Sequence, residues 1–276
     1  MSWGTLYGIG MGPGDPELLT RKAHRLLATV PVIFYPSCGG KADGFALDIL
    51  QGVFAEDHAG VANGGTGLPP SPAGSSVLAR CRPLSTTMVR GADTARPHWE
   101  DAAEHVAAVL QNGQDVAFIT EGDPALFSTF VYLQVALAER FPEARIEIVP
   151  GVSSISAAAA RTLFPLALGE ERIAILPATY DPTFLERALE AFDTVVLLKV
   201  NRVLDPLISI LEQHGLLDGA VFVERCGTSR ERIVRDVGGL RGQRTNYFSL
   251  LLVRKEGVKV SGLRSIEEAD PAGRSI

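Results

Sequence analysis

Two carboxylates flank a glycine in the Thr-Glu-Gly-Asp-Pro segment at residues 120–124. The apolar run before it, at 115–119, is typical of a buried parallel strand, and residues 125–140 have the apolar spacing of a helix. The segment is therefore predicted to be a turn between a strand and a helix. Glycine lets the backbone come close to a ligand, and open α/β sheets bind ligands at the carboxyl ends of their strands. The turn either binds a ligand or is a plain capped turn, since Asp123 could also cap the helix.

A second glycine-rich segment, Gly-Ile-Gly-Met-Gly-Pro-Gly-Asp-Pro at residues 8–16, follows a predicted first strand. A dinucleotide fingerprint needs G-x-G-x-x-G and an acidic residue about 20 positions later. Pro13 stands where the last glycine belongs, and the second predicted strand ends in Phe-Tyr-Pro at 34–36 without a carboxylate. The segment does not fit a dinucleotide site. A nicotinamide-dependent oxidoreductase nevertheless remains the alternative from a different functional class.

Four motifs, in this order along the chain, resemble the tetrapyrrole methylases, a family that uses S-adenosylmethionine. They are the glycine-rich opening at 8–20, the turn at 120–124, Val-Pro-Gly-Val-Ser-Ser-Ile-Ser-Ala-Ala at 149–158 and Val-Glu-Arg-Cys-Gly-Thr at 223–228. The resemblance covers about residues 4–254. It implies a methyltransferase that acts on a tetrapyrrole, has two α/β domains with an active-site cleft between them, and forms a homodimer.

The resemblance also implies which residues contact the cofactor and its product, S-adenosylhomocysteine. Two alternatives stay open at this point. Ser153 and Ser154 could serve as helix caps, and Lys199, at the end of a predicted strand, could simply be solvated. The cofactor-binding residues implied by the resemblance are Pro13, Glu121, Gly122, Asp123, Leu126, Ser153, Ser154, Lys199 and Gly227.

Within the family, the chain resembles the branch that methylates C20 of precorrin-2 or its cobalt form in cobalamin biosynthesis. This rests on Glu121 before Gly-Asp-Pro, on residues 173–179 and on residues 198–202. Methylation of another position (C11, C17 or on uroporphyrinogen III) is the nearest alternative. The branch's substrate carries eight carboxylates, which arginines would bind. The candidates are Arg90, Arg202, Arg225 and Arg230. No catalytic side chain is predicted, because methyl transfer needs alignment of donor and acceptor carbons more than a nucleophilic residue.

Helical and strand patterns alternate in both halves of the chain, which predicts an α/β fold. The boundary is predicted beside the 120–124 turn, giving an N-terminal domain at 1–119, a C-terminal domain at 120–255 and a peripheral tail at 256–276. Residues 59–76 contain no charged residue and are predicted to form a mobile insertion. The last two predicted strands, 232–237 and 247–253, are interpreted as a closing antiparallel pair.

Composition excludes several other classes of protein. The 276 residues carry a net charge of −6, so nucleic acid is not an expected partner. No apolar run approaches the roughly 20 residues needed to span a membrane, and no signal segment opens the chain, which predicts a cytoplasmic protein. The histidines and the three cysteines (Cys38, Cys81 and Cys226) fit no metal-site spacing. We therefore expect free thiols and no bound metal.

Overall fold

The computed structural model describes residues 2–37, 44–62, 77–86, 92–178 and 181–255, which form two compact α/β units, Met1–Ser153 and Ser154–Ile276. The helices are α1 Arg21–Thr29, α2 Phe45–Ala62, α3 Ala92–Gln111, α4 Phe130–Arg140, α5 Ser154–Thr162, α6 Pro182–Ala191 and α7 Leu204–Gln213. The strands are β1 Thr5–Gly10, β2 Val32–Ser37, β3 Cys81–Ser85, β4 Val116–Thr120, β5 Arg145–Val149, β6 Ile173–Pro177, β7 Thr194–Leu198, β8 Ala220–Glu224, β9 Arg232–Val234 and β10 Ser249–Arg254.

The first unit contains a five-stranded parallel sheet in the order β3-β2-β4-β1-β5. Every residue of β4 is buried, as expected for an apolar strand with helices on both faces of its sheet. Gly8 in β1 makes room for helix α4, since a Cβ there would lie 2.3 Å from the ring of Phe130. Phe130 is fully buried, and burial of a phenylalanine contributes about 1.5–3 kcal/mol. These contacts place the start of α4 beside the strands that carry the glycine motifs.

The second unit contains a mixed sheet in the order β6-β7-β10-β8-β9. Strands β6 and β7 are parallel, whereas β10 lies between β7 and β8 and runs antiparallel to both. The carboxyl ends of β7 and β8 therefore lie at the same edge of the sheet as the start of β10. The core of this unit is made by apolar residues of α6 and α7, among them Leu185, Leu207 and Ile208, packed against Leu197 and Phe222.

The structure divides the chain at a different place from the predicted boundary at 119/120. Strand β5 pairs with β1 over five residues, so the first unit continues through Ser153. The sequence pattern could not show this, because it marks a strand without showing which strand is its neighbour. The predicted insertion at 59–76 falls largely outside the described residues (its first four continue α2), and the tail at 256–276 lies wholly outside them.

Two other predictions about the elements are wrong. Strands β9 and β10 do not pair with each other, because both pair with β8 and flank it. The helix predicted at 125–140 begins only at Phe130. The residues before it form a turn in which Phe127 has a φ of 51°, a left-handed conformation that no α-helix contains.

The α/β class predicted from the alternation of patterns is confirmed by both sheets. Cys81 and Cys226 are free thiols, and burial raises the pKa of the Cys81 thiol to about 11. That thiol is therefore protonated at neutral pH. No helix in the described ranges is long and apolar enough to cross a membrane.

Candidate functional site

Four glycines from three loops meet at the carboxyl edge of the first sheet, and we call this group the glycine crossing. It consists of Gly10, Gly12, Gly122 and Gly151, which belong to or follow β1, β4 and β5. Gly12 and Gly122 form an isolated antiparallel bridge, in which the Gly122 amide donates to the Gly12 carbonyl at 2.7 Å and the reverse bond is 3.3 Å. The sequence motifs that lie far apart in the chain therefore meet in one place.

The close approach of the backbones explains why two of these positions are glycine. A Cβ on Gly151 would lie 2.2 Å from the Gly122 carbonyl oxygen, and one on Gly10 would lie 2.6 Å from the same oxygen. Both contacts involve backbone atoms, which have little freedom to move aside. Gly122 is different, because its φ is +65° and no heavy atom lies within 4 Å of the Cβ position. The crossing thus has tightly packed backbone at Gly10 and Gly151 and an open side at Gly122.

Asp123 braces the glycine crossing with both of its carboxylate oxygens. Oδ1 accepts a hydrogen bond from the Ala125 amide at 2.8 Å, and Oδ2 accepts one from the Gly151 amide at 3.0 Å. The first bond closes the turn after β4, and the second ties that turn to the loop after β5. Asp123 does not cap α4, which begins seven residues later at Phe130. Its side chain therefore sets the geometry of the two loops.

The neighbouring candidates differ in what surrounds them. Glu121 is partly exposed, and its carboxylate forms no hydrogen bond with any residue that the structure describes. Leu126 is also partly exposed, whereas Pro13 is buried. Ser153 is the last residue of the first unit, and Ser154 begins α5 in the second. The Glu121 carboxylate therefore has free hydrogen-bonding capacity beside the crossing.

Phe127 is a candidate that sequence reasoning missed. Its backbone is left-handed and its side chain is 47% exposed, and it lies five residues after Gly122. The next residue, Ser128, holds this turn in place. Its hydroxyl lies 3.0 Å from the Thr120 hydroxyl and accepts a hydrogen bond from the Phe130 amide. A strained residue fixed in this way is typical of functional loops. Because residues 125–140 have the apolar spacing of a helix, the sequence predicted helical backbone at Phe127.

In the second unit, the late glycine turn at 225–231 follows β8. Gly227 has a φ of +77°, and its amide donates to Oε2 of Glu231 at 2.7 Å. Oε1 of the same carboxylate accepts hydrogen bonds from the Arg161 guanidinium of α5 at 2.8 Å. The Glu231 side chain is only 9% exposed. Glu231, which the sequence motifs did not single out, therefore ties the Gly227 turn to α5.

We expect the Glu231→Ala substitution to lower the free energy of unfolding by about 1–3 kcal/mol, because a half-buried amide and a guanidinium lose their acceptor. Glu231→Gln retains a neutral acceptor, and we expect about half that loss. Urea unfolding measures both, with Glu190→Ala on the exposed surface of α6 as the control. Equal stability of Glu231→Ala and the control would show that the turn holds without this carboxylate.

The remaining candidates lie at or after the ends of β7 and β8. Lys199 directly follows β7 and Arg225 directly follows β8, and both are half-buried. Arg202 and Arg230 are exposed. Arg90 lies outside the described residues. The structure thus brings Lys199 and Arg225 to one edge of the second sheet, as the order of strands requires.

The chain is similar to known proteins over most of its length. The model of a family described as Tetrapyrrole (Corrin/Porphyrin) Methylases matches residues 5–239. A precorrin-2 C(20)-methyltransferase of Sinorhizobium sp is 32% identical over 91% of this chain and 95% of its own length. A cobalt-precorrin-2 C(20)-methyltransferase of Salmonella typhimurium is 31% identical over 92% and 97%.

The chain is also similar to longer proteins. The cobalamin biosynthesis protein CobIJ of Mycobacterium tuberculosis is 33% identical over 91% of this chain, and the chain spans about half its length, 46%. Among solved structures, the cobalt precorrin-4 methyltransferase CbiF superposes with a TM-score of 0.62 at 21% identity, covering 91% of this chain and 94% of that one. A Thermus thermophilus uroporphyrin-III C-methyltransferase complexed with S-adenosylhomocysteine superposes with a TM-score of 0.56 at 21% identity, covering 91% and 98%.

Proposed function

This chain belongs to the tetrapyrrole methylases, and we propose that it transfers a methyl group from S-adenosylmethionine to C20 of precorrin-2 or its cobalt form in cobalamin biosynthesis. The glycine crossing is the observation that carries the cofactor part of this proposal. It sits at the carboxyl ends of parallel strands, where α/β folds bind ligands. The position of methylation is supported by the relatives that are named for C20 and match this chain over almost their whole length.

The residues around the crossing fit such a cofactor. The open side at Gly122 offers backbone that a ligand can approach without meeting a side chain. Glu121 offers a carboxylate that can accept hydrogen bonds from hydroxyl or ammonium groups. We propose that Gly122, Glu121 and Leu126 contact the cofactor directly and that Asp123 holds their turn in place. Pro13, Ser153, Ser154 and Gly227 remain proposed contacts from the family motifs.

When bound, S-adenosylmethionine supplies a methyl group on a sulfonium, which a carbon nucleophile takes by in-line displacement. The task of this chain's residues is to fix the two reacting carbons close together and aligned, an effect that can supply about 7–11 kcal/mol of the barrier. Rigid backbone suits that task, because the hydrogen bonds between Gly12 and Gly122 and from Gly151 to Asp123 already fix the loops. A nucleophilic side chain is not required.

The Glu121→Gln variant tests the cofactor site. We expect its affinity for S-adenosylhomocysteine to fall about tenfold, because a charge-assisted hydrogen bond becomes a neutral one. Its stability should not change, since Glu121 braces no described part of the protein. Titration calorimetry measures the affinity, and Glu143→Gln on the exposed 141–144 turn is the matched control. Unchanged affinity in Glu121→Gln would remove Glu121 from the proposed site.

The position of methylation is tested by turnover of precorrin-2 with cofactor labelled with ¹³C at the methyl group. We propose that the label appears on C20 and that mass spectrometry shows one added methyl group. Label on C11, C17 or another carbon of the product, or turnover of uroporphyrinogen III in place of precorrin-2, would instead support another branch of the family. Tight binding of NAD without S-adenosylhomocysteine binding would overturn the assignment to methyl transfer.

We further propose that the enzyme is a cytoplasmic homodimer, as its membership of the family suggests. Light scattering after size exclusion tests this assembly. A mass twice the 29.5 kDa of one chain supports it, and a monomer at micromolar concentration overturns it.

A further inference from the structure

Two basic residues in the second unit occupy conformations that side chains rarely adopt. Lys199 has a φ of 60° and a ψ of 42°, and Arg225 has a φ of 51°. Left-handed backbone costs roughly 1–2 kcal/mol for a residue with a Cβ. Both residues are fixed by the start of β10, because the Lys199 amide donates to the Ser249 carbonyl at 2.9 Å and the Arg225 amide donates to the Phe248 carbonyl at 2.8 Å. The sheet thus enforces the same unusual turn at the ends of β7 and β8.

The charges of these two residues are not neutralised in the part of the chain that the structure describes. The Arg225 guanidinium has no hydrogen bond or ion pair there, and the Lys199 ammonium has only an aromatic contact, 5.5 Å from the centre of the Tyr247 ring. Such a cation–π contact orients an ammonium without neutralising it. Two half-buried cations therefore remain available for an anion.

The nearby carboxylates are already occupied. Glu224 accepts a hydrogen bond from the Asn246 amide and lies 4.0 Å from the Arg232 guanidinium. Glu231 binds Gly227 and Arg161, as described above. The acidic residues of this edge therefore hold its turns together instead of balancing Lys199 and Arg225.

The spacing of the two cations suits a ligand with more than one carboxylate. Strands β7 and β8 both pair with β10, so the backbones of Lys199 and Arg225 are about two strand spacings apart, roughly 10 Å. Long flexible side chains at that separation can bind two carboxylates of one molecule. A single carboxylate, as on an amino acid, would occupy one of them.

We propose that Lys199 and Arg225 form a paired site that binds two carboxylates of the tetrapyrrole, with Tyr247 orienting Lys199. The inference rests on the proposed function and deepens it, because it names residues that recognise the substrate. It also assigns Lys199 to the substrate, whereas the family motifs imply a contact with the cofactor. The strained backbone at both positions is then explained by the need to place two cations at this edge.

The test uses uroporphyrin III, a stable tetrapyrrole with eight carboxylates, and its octamethyl ester, which carries none of those charges. The variants are Lys199→Asn and Arg225→Asn, because asparagine tolerates left-handed backbone and the charge is lost without new strain. We expect each variant to bind uroporphyrin III about tenfold more weakly than the unaltered chain, from the loss of a charge-assisted contact. Arg187→Gln on the exposed surface of α6 is the control.

Lys199 and Arg225 could bind carboxylates of the tetrapyrrole or the carboxylate of the cofactor. Affinity for S-adenosylhomocysteine distinguishes these two ligands. The proposal expects it to stay within about twofold in both variants, which also shows that they fold. Loss of S-adenosylhomocysteine binding with uroporphyrin III binding intact would assign the pair to the cofactor and overturn the proposal. Equal binding of the acid and the ester, or no binding of the acid by the unaltered chain, would also overturn it.

Turnover separates this inference from the proposed function. A chain that methylates C20 of precorrin-2 with the same KM in both asparagine variants contradicts the paired site alone. A chain that binds uroporphyrin III through the pair but does not methylate precorrin-2 contradicts the proposed function alone.

Discussion

The Gly151→Ala variant is expected to bind S-adenosylhomocysteine at least about tenfold more weakly and to lose about 1–3 kcal/mol of unfolding free energy. The added Cβ would lie 2.2 Å from the Gly122 carbonyl oxygen and 2.9 Å from two backbone atoms of Gly10. No rotamer relieves a clash between backbones, so the loop after β5 must move away from the other two. Calorimetry and urea unfolding measure the two effects.

Gly44→Ala is the matched control for this substitution. It makes the same chemical change in the same unit, but the nearest atom to its Cβ would be the Pro36 carbonyl oxygen at 3.4 Å, an ordinary contact. We expect its affinity for S-adenosylhomocysteine to stay unchanged and its unfolding free energy to fall by no more than about 1 kcal/mol, because Gly44 precedes α2 as its N-cap residue. If Gly151→Ala behaves like Gly44→Ala, the loops are looser than the structure shows and the glycine crossing does not define the site.

The fold was predictable where a pattern is local. The apolar run that became β4 is buried along its whole length. Pairing is not local. Strand β5 lies beside β1 because of long-range packing, so the domain boundary differs from the one predicted at 119/120. Strand β9 lies beside β8 instead of β10, so the predicted antiparallel pair of β9 and β10 is wrong.

The site was predictable in its residue types but not in its geometry. The motifs identified Gly122 and Asp123, yet only the folded chain shows that three loops meet and that Gly151 belongs with them. The left-handed conformations of Phe127, Lys199 and Arg225 have no sequence signal, because side chains with a Cβ rarely adopt them. They result from tertiary contacts, and for Lys199 and Arg225 those contacts are hydrogen bonds to the start of β10.

The Asp123→Ala variant is expected to lose about 1–3 kcal/mol of unfolding free energy, because two backbone amides in the turn and in the loop after β5 lose their acceptor. Affinity for S-adenosylhomocysteine should fall with it, since the loops that form the crossing are released. Asp123→Asn keeps one oxygen but turns an NH₂ group toward the other amide. We therefore expect it to lie between the unaltered chain and the alanine variant in both measurements.

The pattern of losses identifies the role of this carboxylate. A brace loses stability and affinity together, whereas a residue that only contacts the cofactor, as we propose for Glu121, loses affinity alone. A full loss of affinity in a stable Asp123→Ala variant would therefore make Asp123 a direct contact. The double variant Asp123→Ala/Gly151→Ala gives a second measurement. Asp123 acts partly by binding the Gly151 amide, so its removal should cost less once that loop is already displaced. The unfolding free energy lost in the double variant should therefore be smaller than the sum of the losses in the two single variants.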